Sequence, residues 1–247
     1  QEPSPERVQE YFMNNPTSGV KIADWEVQSA GFAAVWAEDN TRTSIWDAMY
    51  RRETYATTGT RMLVRFFGGW EFEKADANTR NPAVAGYSKG VPMGGDLRDA
   101  PEGKAPTFLV AALKDPIGAN LDRIQVIKGW LDAKGNTHEK VYDVVWSDAD
   151  KRKPDANGEI PPVGNTVDVA EANWTNTIGA PELITVWEDP DFDLSLRAFY
   201  YARVIEIPTP RWTAYDAKFF KFKMPEEVPM TTQERAYTSP IWYTPGS

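Results

Sequence analysis

Cysteine is absent from all 247 residues, which removes disulfides, thiolate metal sites and cysteine nucleophiles at once. That absence leaves the compartment open, since a disulfide-free chain suits either redox environment. Histidine is nearly absent too, with His138 the sole imidazole. A hydrolytic centre on two or three metal ions needs several imidazoles and carboxylates in one place, and one histidine beside a hairpin turn cannot supply them. His138 therefore reads as a surface or hairpin-packing residue. A Ser-His-Asp triad around it has no nucleophile-elbow motif in support. No apolar run approaches the roughly 18–20 residues that span a bilayer, so no membrane-spanning helix is expected. The opening QEPSPERVQEYF has no basic start leading into an apolar stretch, so no uncleaved signal peptide is expected. Positive charge is in short supply: 27 Lys and Arg against 36 Asp and Glu leave a net charge of −9 and a pI near 4.8. No Lys/Arg run exceeds Lys151–Lys153. A broad phosphate-binding face for nucleic acid is not expected, and the same sign disfavours anionic membrane surfaces.

What is present is ordinary globular material, 41% hydrophobic and 26% charged, enough to bury one large core or two small ones. Residues up to about Ala34 carry Pro3, Pro5, Pro16 and Gly19 among polar neighbours and read as a loop-rich lead-in. Gly31–Ala37 is a short apolar run expected to be a buried strand. Asn40 or Thr41 then caps a helix to about Glu53, with Ile45, Trp46, Ala48 and Met49 on one side and Arg51 and Arg52 near its C-terminal end. Thr57-Thr58-Gly59 breaks that helix and Arg61–Phe67 follows as a strand, the rhythm of an α/β unit. Ala75–Lys104, rich in Gly, Pro, Asn and Asp, is expected as a long surface excursion.

Strands are expected at Thr107–Leu113, Arg123–Trp130, Lys140–Trp146, Leu183–Trp187 and Phe199–Ile207, the second and third joined through a hairpin with Gly135 at a positive φ. Pro208 and Pro210 end the last of these. Ser147–Gly179 is a polar connection. Thr231–Glu234 matches a capping box and predicts a short helix ended by Pro240. The pattern gives an α+β, mainly β class: an antiparallel β-sandwich preceded by a small α/β segment, with a C-terminal tail packed on the body. The expected divisions are residues 1–60, 61–212 and 213–247.

Three constellations are candidates for chemistry. Asp148, Asp150, Asp155, Asn157 and Glu159 form one carboxylate-rich loop, and Asp189, Asp191 and Asp193 alternate through another. Ca²⁺ favours loops with several oxygens in reach, though neither stretch has EF-hand spacing and both also read as solvated polar loops. The second constellation lies between Glu38 and Arg61. Glu38, Asn40 and Arg42 sit at a strand-to-helix junction, and Arg52, Tyr55, Thr57, Thr58 and Arg61 surround the loop that follows. Their guanidiniums and hydroxyls suit an anionic substrate group; the competing reading is that they knit two domains together. The third is the ten tryptophans. Exposed Trp on a β-sandwich can stack on sugar rings, but Trp36, Trp46, Trp130, Trp146 and Trp187 lie on apolar sides of expected elements and read as core. Trp174 lies in a loop, and Arg211-Trp212 suits a cation–π corner.

The stretch VWAEDNTRTSIWDAMYRRETYATTGTRMLVRFFGGW at Val35–Trp70, the block FYYARVIEIPTPRWTAYDA at Phe199–Ala217 and the ending TTQERAYTSPIWYTP resemble a bacterial family, domain of unknown function 3604. The resemblance implies a β-rich C-terminal region following a PHP-like (polymerase-and-histidinol-phosphatase-like) metal-hydrolase domain, whose clustered ligands lie outside this sequence. It implies divalent metals (Mn, Zn or Mg) and phosphoester-type hydrolysis for the whole protein. For this chain it implies an accessory, non-catalytic role beside a small anionic substrate, in the periplasm or secreted. No residue role transfers with it. The rivals are an exported β-sandwich module that binds carbohydrate or a protein partner, and a self-sufficient hydrolase using carboxylates with Mg²⁺ or Ca²⁺.

Overall fold

Strict alternation organises the centre of the molecule. In β12 (Ala198–Glu206), Ala198, Tyr200, Ala202, Val204 and Glu206 are buried, and the residues between them are half-buried. One face of this strand must therefore meet a second layer. The computed structural model describes residues 4–8, 10–27, 30–156 and 158–246; Asn157 lies outside them. In it, β12 pairs along one edge with β9 (Leu121–Leu131) and along the other with β15 (Arg235–Thr238) and β16 (Ile241–Tyr243). The large sheet runs β10 (Thr137–Trp146), β9, β12, β15, β4 (Thr54–Thr57) and β3 (Phe32–Val35). A short β7 (Asp96–Leu97) pairs with β16 in parallel. All other pairs are antiparallel. The C-terminal tail is thus part of the sheet.

The smaller sheet runs β11 (Glu182–Glu188), β8 (Thr107–Leu113), β5 (Leu63–Gly69) and β6 (Gly90–Pro92). Strand β8, TFLVAAL, is buried at all but its last residue because both its faces are covered. Phe108, Val110 and Ala112 join Phe66 in the inter-sheet core, where Phe108 stacks on Phe66 at 5.4 Å and meets Tyr200 of the large sheet at 4.5 Å. Leu109 and Phe67 face the other way, with Phe72, beneath α2 (Pro82–Lys89). The helix comes so close that a Cβ on Gly86 would lie 2.5 Å from the Phe67 ring. Each fully buried ring of this kind contributes about 1.5–3 kcal/mol.

The expected mainly β, antiparallel sandwich is therefore present, and all five strands expected between Thr107 and Ile207 are found, with β10 and β11 at the edges of their sheets. The β9–β10 hairpin closes through Asp132, whose Oδ1 accepts from the backbone of Lys134 and Asn136, with Gly135 at φ 83°. Four local expectations are corrected. The Gly31–Ala37 run is not a buried strand: Phe32–Val35 forms β3 at the open edge of the large sheet, with Phe32 48% exposed. The Ala75–Lys104 stretch contains α2 as well as β6 and β7, because Pro82 at the first helical turn starts a helix whose small residues sit against Phe67. Thr231–Glu234 is not a helix: Thr231–Thr232 pair with Thr209–Pro210, and the Glu234 carbonyl accepts from Glu206, so sheet hydrogen bonds outcompete the capping box. Trp46 is not core: it is 63% exposed on α1 (Arg42–Tyr50). That helix is capped by Thr41 as its sequence signals, but Ala48 is its sole buried residue.

Candidate functional site

The end of α1 sets up the site. Arg52 adopts φ 62°, and the helix closes with Arg52 N–H on Met49 and Glu53 N–H on Ala48, each at 3.0 Å. This left-handed turn reverses the chain and drops Glu53 inside, at 2% exposure. Glu53 is then held on three sides. Arg51 Nη2 lies 3.2 Å from Oε2, Arg65 Nη1 of β5 lies 3.7 Å from Oε1, and the Tyr87 hydroxyl of α2 donates to Oε1. The Tyr87 hydroxyl also accepts from Arg65 Nη1 at 3.1 Å. Burial, then the Glu53 carboxylate, raises the Tyr87 pKa above the ordinary phenol value. The Arg65 guanidinium is clamped from above, with its carbon 3.2 Å from the centroid of the Trp36 ring. Trp36 is fixed in turn by donating from Nε1 to the Val64 carbonyl at 2.8 Å.

Trp36, Glu38, Arg51, Glu53, Arg65 and Tyr87 line a pocket of about 550 Å³. Its charged lining includes the guanidiniums of Arg65 and the more exposed Arg51 on either side of the buried Glu53 carboxylate. Glu53 already engages both guanidiniums, and what remains of their donor capacity suits a carboxylate or phosphate oxygen from outside. Exposed Glu38 brings a second carboxylate to the rim, so the charged lining of the whole pocket sums to zero.

Of the residues expected from sequence, Glu38 alone lines this pocket. Asn40 and Arg42 are exposed at the start of α1. Arg52 points elsewhere, 3.5 Å from Asp96. Tyr55 is buried and donates to the Met62 carbonyl at 3.0 Å. Thr57 donates to the Thr60 carbonyl at 2.5 Å. Thr58 bonds Glu234. Arg61 is exposed: its backbone N–H donates to Asp115 at 2.8 Å and its guanidinium sits 5.8 Å from the Phe32 ring. The loop hydroxyls and cations therefore disperse. Sequence reading missed Arg51, Glu53, Arg65, Trp36 and Tyr87; the one local signal was Arg65, a charge inside the apolar run LVRFFGG.

The carboxylate loops are engaged with protein groups. Asp148 lies 3.7 Å from Lys151, Asp150 is exposed, and Asp155 caps its own turn by accepting from Glu159. Asp189 lies 2.6 Å from Lys128 and accepts from the Tyr200 hydroxyl at 2.7 Å. Asp191 bonds Lys140 at 2.5 Å and Tyr142 at 2.6 Å, and Asp193 bonds Ser195. The Lys140 and Tyr142 bonds hold the Asp191 carboxyl below the usual range. His138 stacks on Trp130 at 5.2 Å and bonds Asp132 at 3.1 Å, the hairpin-packing role expected of it. Among the described residues no three His, Asp or Glu side chains converge to hold a metal ion. No described helix is long and apolar enough to cross a membrane.

No curated protein and no solved structure matches the chain. A family model described as a protein of unknown function (DUF3604) matches residues 2–245, and the chain belongs to that family.

Proposed function

We propose that the chain is an accessory module of a PHP-like, metal-dependent phosphoesterase-type protein, periplasmic or secreted, and that it is not catalytic by itself. In this reading α1 and β3 dock against a preceding metal-binding domain that carries Mn, Zn or Mg, and the Arg51–Arg65–Glu53 pocket receives an anionic group of the substrate beside it. The observation that carries the reading is the uncovered face of α1, where Trp46 is 63%, Met49 52% and Tyr50 81% exposed. Large side chains in such numbers on one short helix mark a contact surface. Next to it, β3 is the terminal strand of the large sheet and exposes Phe32. An unpaired edge of this kind is a natural seam for more polypeptide. The pocket is lined by residues that directly follow β3 and α1, with Arg65 of β5 and Tyr87 of α2, so a body that covers the end of α1 lies close to Arg51.

Two outcomes follow. The purified chain is expected to show no turnover of p-nitrophenyl phosphate or bis-p-nitrophenyl phosphate with Mn²⁺, Zn²⁺ or Mg²⁺. Robust turnover that survives His138→Ala and is lost on carboxylate substitution would overturn the non-catalytic reading. The isolated chain is also expected to self-associate as concentration rises, and the double variant Trp46→Glu/Met49→Lys to remain monomeric by light scattering. A wild-type chain that is monomeric throughout sinks the docking role of α1.

A further inference from the structure

Strand parity puts a row of side chains on the outer face of the large sheet, away from the core. Trp242, Phe199, Gly129 and Glu139 are register partners across β16, β12, β9 and β10. One step further along the same face stand Arg197, Thr137 and Thr244, and together these residues line a groove of about 650 Å³. Gly129 supplies no side chain in mid-row, and the Phe199 ring lies over it: a Cβ at position 129 would be 2.3 Å from Phe199 Cζ. The groove is thus floored by backbone and walled by rings on one side. Trp242, 41% exposed, meets Phe199 at 5.2 Å with the planes 48° apart, and beyond the groove Tyr201 lies 6.4 Å from Phe199 with the planes 13° apart.

The other side of the groove is polar. Among the described residues the side chains of Arg197, Glu139, Thr137 and Thr244 make no hydrogen bond or ion pair. A cation, a carboxylate and two hydroxyls therefore stand uncommitted beside an aromatic platform. We propose that this groove is a saccharide-binding site. A pyranose offers an apolar C–H face to Trp242 and Phe199, and a rim of hydroxyls that donate to Glu139 and accept from Arg197 and the threonines. The charged rim argues against an apolar protein surface as the occupant, because covering Arg197 and Glu139 without partners would oppose binding.

Native affinity electrophoresis tests the site, with gels containing hydroxyethyl cellulose, xylan, mixed-linkage β-glucan, polygalacturonate or alginate. The wild-type chain is expected to be retarded by at least one of them. Trp242→Ala should weaken that retardation about tenfold, the loss expected for one aromatic platform. Arg197→Ala should weaken it by a smaller factor; both sites are exposed, so circular dichroism should show an unchanged fold. No retardation in any of the five gels overturns the proposal. So does retardation that both variants retain in full. If Trp242→Ala instead changes the oligomeric state and leaves retardation untouched, the face is an interface between copies and the saccharide site falls.

Discussion

Lys128→Ala is expected to lower folding stability by about 3–5 kcal/mol, a large share of the total stability of a domain this size. Lys128 lies on the inward parity of β9, between Val126 and Trp130, and is 4% exposed. Its ammonium is 2.6 Å from Asp189 and donates to the Asp191 carbonyl at 2.7 Å. Asp189 is 1% exposed. Without the lysine its charge would rest on the Tyr200 hydroxyl and the Asp191 N–H alone. The cost comes from the carboxylate left behind, not from the attraction lost, so removing both charges should restore most of the stability: Lys128→Met with Asp189→Leu tests that. Urea unfolding of the three proteins measures it. A loss under about 1 kcal/mol for Lys128→Ala would mean that water reaches Asp189 and that the pair is not a buried one.

That pair also shows what a sequence can and cannot disclose. Along β9 the residues Ile124, Val126, Lys128 and Trp130 share one face, so a charge on the apolar parity announces a buried partner without naming it. Asp189 and Asp191 follow β11, and their alternation with proline and phenylalanine matches a cation loop as well as it matches lysine and tyrosine ligation. Only the sheet packing decides between them. The strands were legible because alternation and turn chemistry are local: β8, the Asp132–Asn136 hairpin and the Thr41 cap needed no distant residue. The candidate site was not, since Glu53, Arg65 and Tyr87 come from β4's approach, β5 and α2 and meet only after the two sheets and α2 have packed. The loop hydroxyls near Thr58 looked convergent in sequence because residues three apart in a loop carry no fixed direction; the fold sends Tyr55 into the core and Thr58 to Glu234.

Glu206→Gln is expected to stabilise the protein at pH 8 and to flatten its stability between about pH 5 and 8. Glu206 is the last inward residue of β12 and is fully buried, and neither carboxylate oxygen has a hydrogen-bond partner among the described residues. Burial chiefly, with the Glu234 and Asp115 charges adding and Lys114 opposing, pushes its pKa up to about 8 from 4.5. The sign follows from which state holds the proton. Below about pH 4.5 folded and unfolded chains are both protonated at this site and it costs nothing. Between about pH 4.5 and 8 the unfolded chain gives up the proton while the folded chain keeps it, so stability falls as pH rises, by up to about 1.4 kcal/mol per unit. Above about pH 8 the loss is complete, on the order of 4–5 kcal/mol. Glutamine cannot ionise, and its amide can donate to the Thr60 hydroxyl, which is itself buried without a partner. Urea unfolding of both proteins at pH 5, 6.5 and 8 separates the cases. If the two stability profiles run parallel across that range, Glu206 is ionised in the folded state and a solvated or ion-paired carboxylate must replace this account. If they converge near pH 5 and separate by several kcal/mol at pH 8, the end of β12 holds a neutral carboxylic acid. The Glu206 contribution would then make stability fall as pH rises toward 8.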